Sequence, residues 1–227
     1  MTIRSAKALF RATKPKPDLG EVLPMDLPKV KPPEETRRSK DFYPTGQPEA
    51  IRGLLAKDGD VIREAGTVWE CACGDGALVR EIRAAGIPCC ASDIEDRGCP
   101  DSWVADFYTC LRSRGGAIIT NPPYSEINAR DGHGRWLRHT LSMDNWTYLA
   151  LLLSWDWPAA RMNGLGTLIE ENPFSYCYLM RWKLDFTGAG SPPQRNAWFV
   201  WRRDWDEVPM QMRLMDREDA RQMEMTL

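Results

Sequence analysis

A chain of 227 residues with 43% hydrophobic content can bury one sizeable core and is expected to form one main domain. No apolar run approaches membrane-spanning length, and the start, Met1-Thr2-Ile3-Arg4, lacks the apolar stretch of a secretory signal; this argues against a membrane protein and for a cytoplasmic one. A net charge of −2 does not advertise a nucleic-acid binder, and seven cysteines without a C-x-x-C, beside only two histidines (His133, His139), argue for free thiols and against a zinc site.

Residues 1–40 hold ten basic and five acidic side chains, a local net of +5, and six prolines. That composition suits a flexible basic arm, which either adds salt-sensitive phosphate contacts or merely solubilises. Asp41-Phe42-Tyr43-Pro44-Thr45 leads into a helix over residues 47–57, with Ala50, Leu54 and Leu55 at helical spacing and Pro48 in its first turn. Residues 67–72 read as a buried strand running into Cys73-Gly74-Asp75-Gly76-Ala77. A helix follows on Leu78, Val79, Ile82 and Ala85, with Gly86 as its stop. Strand, glycine turn and helix form a nucleotide-binding context, but neither G-x-G-x-x-G nor Gly-Lys-Ser/Thr is present. Glu70, just before the glycines, suits a cationic ligand better than a pyrophosphate.

The next strand, residues 89–92, ends in Asp93, placed either to accept from ribose hydroxyls or to cap a helix. Residues 103–105 lead to Asp106-Phe107, a carboxylate and a ring that could hold an adenine amine and face, or an ordinary turn. Ala117-Ile118-Ile119 ends in Thr120 and reads as a buried strand running straight into Asn121-Pro122-Pro123-Tyr124. Both prolines fix φ, and Pro122 keeps Asn121 out of the helical region. The turn offers the Asn121 amide oxygen and the Pro122 carbonyl as two stiffly held acceptors. A planar NH2 has two in-plane donors to match them, with Tyr124 as a stacking surface.

Beyond Ser125-Glu126, Asp131-Gly132-His133-Gly134 is too glycine-rich for a helix interior and is read as a mobile flap. A lone loop histidine such as His133 more often lies in solvent than in a mechanism. A helix over residues 136–141 precedes the clearest buried strand, residues 148–153, and then Ser154-Trp155-Asp156-Trp157-Pro158. Trp155 and Trp157 follow that strand at its carboxyl end, for stacking on a base or for packing the core. A helix through Arg161, a strand over 175–180 continuing towards Phe186, a loop over 187–194 and a strand over 197–201 complete an antiparallel hairpin. Residues 206–227 read as a tail with an amphipathic helix. The alternation implies an α/β fold whose sheet is mostly parallel.

Taken in order, Glu70-x-Ala72-x-Gly74-x-Gly76, Asp93, Asp106-Phe107 and Asn121-Pro122-Pro123-Tyr124 resemble the S-adenosylmethionine-dependent amino-methyltransferases that modify N6 of adenine in DNA. Residues 41–45 resemble the aromatic-Pro-Thr segment that contacts the cofactor there. The chain is similar, more narrowly, to the short phage and prophage enzymes of that family, through its "DFYPT" start, Gly188-Ala189-Gly190-Ser191 and Ala197-Trp198-Phe199-Val200-Trp201. The resemblance spans residues 41–203 and implies a Rossmann-like seven-stranded sheet over 41–205, with the last strand antiparallel. It implies S-adenosyl-L-methionine held by Phe42, Tyr43, Pro44, Thr45, Glu70, Cys71, Gly74, Gly76, Asp93, Ile94, Asp106, Phe107 and Asn121, and no metal. Catalysis would fall to Asn121, Pro122, Pro123 and Tyr124, and base contacts to Tyr124, Ser125, Trp155 and Trp157. The implied partner is adenine-containing DNA with the target base flipped out, in a bacterial host's cytoplasm. Many relatives carry Pro where this chain has Cys71, which leaves cofactor affinity open. The same turn also serves enzymes acting on RNA base amines or protein glutamine amides, and an inactive DNA-binding relative would keep the fold. With little chain outside the sheet, target recognition is expected from loops.

Overall fold

The computed structural model describes residues 45–128, 130, 132–160, 162–186 and 194–224. The expected basic arm over 1–40, Phe42-Tyr43-Pro44 and Gly188–Ser191 lie outside these residues.

Five strands run parallel from the start of the sheet: β1 (Val68–Glu70), β2 (Cys89–Asp93), β3 (Ser102–Val104), β4 (Ala117–Thr120) and β5 (Tyr148–Ser154). β7 (Asn196–Arg202) lies antiparallel between β5 and β6 (Tyr176–Met180), and β8 (Gln211–Met215) pairs parallel with β6. The order is β3-β2-β1-β4-β5-β7-β6-β8, so the chain reverses its direction of travel between β1 and β4. That switch point opens a crevice beyond the carboxyl ends of the parallel strands, where ligands bind in open α/β sheets.

Both faces of the central strands are buried, which explains why β5 reads as continuously apolar rather than alternating. Leu149, Leu151 and Leu153 pack on one face with Phe199 and Trp201, beneath α4 (Arg135–Ser142) and α5 (Leu165–Glu171). Tyr148, Ala150 and Leu152 face the other way with Trp198 and Val200, against α1 (Glu49–Ala65) and α2 (Ala77–Ala84). A short α3 (Tyr124–Ile127) follows β4, and α6 (Asp219–Glu224) packs on α1. Most of the tryptophans serve this packing: Trp69, Trp136, Trp146, Trp157, Trp198 and Trp201 are all buried.

Four elements differ from the sequence expectations. The helix read over 47–57 continues to Ala65, through Asp58-Gly59-Asp60. Asp58 is buried, and its carboxylate accepts from the hydroxyls of Tyr148 (2.8 Å), Tyr176 (2.8 Å) and Tyr178 (2.6 Å). The residue just past the expected helix end is thus a bonded core position joining α1 to β5 and β6. The helix expected through Arg161 is replaced by 3-10 turns at Trp157–Ala159 and Met162–Gly164, and α5 begins only at Leu165. Asn163 and Gly164 take positive φ there (54° and 75°), which breaks helical continuity. β6 stops at Met180 rather than continuing towards Phe186. Finally, the sheet has eight strands, not seven: Gln211–Met215, within the expected helical tail, is a strand, and only Asp219–Glu224 is helix. Gln, Met, Arg and Leu are good helix formers in isolation, and pairing with β6 overrides that preference. No helix among the described residues is long and apolar enough to cross a membrane.

Candidate functional site

A cavity of about 460 Å³ opens beyond the carboxyl ends of β1, β2, β3 and β4, and its walls are the loops that follow those strands. The glycine turn and the Asn-Pro-Pro-Tyr turn, 47 residues apart from Gly74 to Asn121, face this one space.

After β1 the backbone turns at Gly74 with φ 54°, and its N–H donates to Asp93 Oδ2 at 2.9 Å. Asp93 also accepts from Glu95 N–H at 3.2 Å and from Arg97 Nε at 3.4 Å. A carboxylate offers roughly four lone-pair directions, so these three donors leave room for a further hydroxyl. Asp93 therefore ties the two loops together while still lining the cavity. Cys71 and Ile94 line it as well, Cys71 buried and Ile94 exposed. Gly76 does not. A Cβ there would stand 2.7 Å from Cys99 Sγ, so this glycine (φ 81°) serves the tight entry into α2 rather than close approach of a ligand.

Glu70 is the electrostatic peculiarity. It is 1% exposed, and burial pushes its carboxyl up from the ordinary 4.5 to about 8, aided by the Asp93 charge and opposed by the Ala72 N–H and the adjacent Thr120 hydroxyl. Oε1 accepts from Ala72 N–H at 3.1 Å. Glu70 Oε2 and Thr120 Oγ1 are buried beside one another with no further partner among the described residues, and Trp136 Nε1 is buried without one there. Buried polar atoms left this way are costly.

The third wall follows β3. Asp106 caps a 3-10 turn at Phe107–Thr109, its Oδ1 accepting from Tyr108 N–H at 2.9 Å. The turn reading holds at this position, and the residue still lines the cavity. Phe107 has one face covered by Trp136, stacked at 3.9 Å between centroids and 12° between planes. His139 fixes the turn from α4: its Nε2 lies 3.1 Å from the Phe107 carbonyl and 2.9 Å from the Cys110 carbonyl, a shared N–H donor.

The fourth wall is the proline turn. Pro123 is extended (φ −62°, ψ 122°) and starts α3, so Tyr124 enters the first helical turn with its ring against the core. Asn121 Nδ2 donates to Thr45 Oγ1 at 3.2 Å. A hydroxyl both donates and accepts, so either orientation of the Asn121 amide satisfies this contact. Thr45, Asn121, Pro122, Pro123, Tyr124 and Ser125 all line the cavity. Tyr124 Oη accepts from Asn196 Nδ2 at 3.3 Å, and burial raises its phenol above the ordinary range.

The segment read as a flap is tied down at several points. Asn128 Nδ2 donates to the Tyr124 carbonyl at 2.8 Å, and Gly132 and Gly134 N–H groups donate to Asn128 Oδ1 (3.3 Å) and O (3.1 Å). Gly132 lies so close that an added Cβ would stand 2.4 Å from the Ser125 carbonyl oxygen and the Glu126 carbonyl carbon. His133 is exposed and off the cavity wall, at φ 53°. The two candidate stacking tryptophans are also off that wall. Trp157 is a core residue, because its indole N–H satisfies the Ile127 carbonyl at 3.2 Å and its ring packs on Phe199 and Trp201. Trp155 is 45% exposed.

Several cavity residues carried no sequence signal. Tyr108 donates to Glu126 Oε2 at 2.7 Å, and Arg135 lies 3.7 Å over the Tyr108 ring and 3.6 Å from the same carboxylate. These contacts join the third and fourth walls at the mouth. Phe186 closes another side from the segment after β6.

No protein-family model matches the sequence, and no curated protein matches it significantly. Solved structures do. The methyltransferase subunit of a type I restriction-modification system from Streptococcus thermophilus superposes with a TM-score of 0.52 at 15% identity, over 77% of this chain and 47% of that one. A protein of Listeria monocytogenes assigned to the class I S-adenosylmethionine-dependent methyltransferases gives 0.51 at 12% identity, over 79% and 66%. A protein whose structure concerns the conversion of a disulfide bond into a thioacetal group during echinomycin biosynthesis gives 0.50 at 15% identity, over 74% and 91%. The fold is the Rossmann-like methyltransferase fold. This chain spans only about half and two thirds of the first two proteins. Their different settings leave the substrate to be argued from the site.

Proposed function

We propose that this protein is an S-adenosylmethionine-dependent methyltransferase that modifies the exocyclic N6 amine of adenine in DNA, of the short phage and prophage kind. The single observation that carries this reading is the sharing of one cavity by the Asn121–Tyr124 turn and the Glu70, Gly74 and Asp93 set. The likeness to a restriction-modification methyltransferase subunit supports DNA as the polymer.

The residues present suit the cofactor. Glu70 is a buried carboxyl on the cavity wall, at the place where a ligand bearing ammonium and sulfonium charge would favour its ionised form. Asp93 keeps acceptor capacity for ribose hydroxyls, and Ile94, Asp106 and Phe107 supply the apolar face and polar edge for an adenine ring. When bound, the cofactor supplies a methyl group made electrophilic by its sulfonium.

The chain's own part is orientation. An adenine amine is a weak nucleophile because its lone pair is delocalised into the ring. Asn121 Oδ1 and the Pro122 carbonyl accept one N–H each, which localises the lone pair and aims it across the cavity. Tyr124 stacks on the extruded base, whose unpairing costs a few kcal/mol. Holding reacting groups at near-attack distance lowers a barrier by about 7–11 kcal/mol at best. No strong base is needed, since the proton leaves a nitrogen that has already become cationic.

Mass spectrometry of nucleosides from cells expressing the protein tests the assignment. N6-methyladenine in DNA is expected. A methylated amine confined to RNA would move the substrate to that polymer, and none in either would leave a protein amide target or an inactive DNA-binding relative.

A further inference from the structure

Asn196 is fully buried, yet it opens a strand whose next residues, Ala197, Trp198, Phe199 and Val200, are all buried and apolar. It pairs with Ser154 at the carboxyl end of β5, beside the cavity edge of the sheet. Its Nδ2 donates to Tyr124 Oη at 3.3 Å and lies 3.4 Å from the Leu153 carbonyl, while its Oδ1 has no partner among the described residues. A purely packing role would be filled at lower cost by leucine, which has similar volume and no oxygen to strand. The Leu153 carbonyl accepts only, so it sets which end of the amide faces Tyr124.

We propose that Asn196 is a positioning residue: by gripping the Tyr124 hydroxyl it sets the tilt of the ring on which the substrate base stacks. This rests on the amino-methyltransferase reading above. Tyr124 enters α3 immediately after Pro123, so its backbone is held at one end by the proline turn. The ring can still swing about its side-chain torsions, and a hydroxyl held from β7 removes that freedom. The contact spans 72 residues of sequence and joins the antiparallel half of the sheet to the catalytic turn.

The test is a double-mutant cycle of Asn196→Leu and Tyr124→Phe. It measures transfer from radiolabelled S-adenosylmethionine to DNA lacking N6-methyladenine, alongside cofactor binding by calorimetry. Each single variant is expected to lose about ten- to a hundredfold in kcat. The double variant should fall no further than the worse single, and the cofactor Kd should stay within about twofold throughout. Wild-type kcat in either single variant, or losses that multiply in the double, would overturn the proposal. Should Asn196→Leu not fold, Tyr124→Phe alone decides, since it keeps the ring and removes only the gripped atom. If the wild-type protein methylates neither DNA nor RNA, the functional reading itself fails and takes this inference with it.

Discussion

Glu70→Gln isolates the electrostatics of the cavity floor. In the folded protein the Glu70 carboxyl is raised from 4.5 to about 8, chiefly by burial. A folded-state value above the unfolded one means that the native protein binds this proton more tightly. The stabilisation is complete below about pH 4.5 and is lost as pH rises through about 8. At about 1.4 kcal/mol per unit, the group weakens the fold by about 5 kcal/mol across that window. Glutamine has the same shape and never ionises, so the wild-type minus variant difference removes every other titration. Urea unfolding of both proteins at pH values from about 5 to 9 should show wild-type stability falling relative to Glu70→Gln as pH rises. A difference that stays flat within about 0.5 kcal/mol would refute the buried-acid reasoning. A cationic ligand beside Glu70 draws its proton off, so cofactor affinity should rise with pH towards about 8. Calorimetry in buffers of different ionisation enthalpy should register that proton's release in the wild type and not in the variant.

Asp93→Ala removes the proposed ribose acceptor and the bond that ties the loops after β1 and β2, so cofactor affinity should drop before the fold does; an unchanged Kd would remove Asp93 from the site. Asp58→Ala leaves the hydroxyls of Tyr148, Tyr176 and Tyr178 without their shared acceptor and should cost about 3–5 kcal/mol in urea unfolding. A loss under about 1 kcal/mol would mean that water replaces the carboxylate there. Gly132→Ala places a Cβ 2.4 Å from the Ser125 carbonyl, which must shift α3; kcat should fall with cofactor Kd unchanged, and wild-type kcat would show that the loop yields instead.

The parallel half of the sheet was legible because β1, β4 and β5 are buried apolar runs and each parallel strand leads into a polar or glycine turn, and the turns after β1 to β4 are the cavity walls. Gly74, Asp93, Asp106 and Asn121 each follow a predicted strand, and the family resemblance placed them in one site. Side-chain partnerships across long separations were not legible. The expected helix ended one residue before Asp58, because the three tyrosines that satisfy this carboxylate lie 90, 118 and 120 residues away. Trp157 stayed open between stacking and core packing because a periodic reading cannot tell that its indole N–H donates to the Ile127 carbonyl. Asn196 gave no signal, since its meaning lies in a hydroxyl on another strand's turn. β8 was hidden by helix-favouring residues that only pairing with β6 turns into a strand.

Methyl transfer by Asn121→Ala, measured beside its calorimetric Kd for S-adenosylmethionine, bears most directly on the shared cavity. Transfer should vanish while the cofactor still binds within a few-fold of wild type, because removing the proposed acceptor for the amine leaves the Glu70 and Asp93 side of the pocket intact. Retained transfer, or transfer and binding lost in equal measure, would show that the turn after β4 does not hold the substrate's nitrogen.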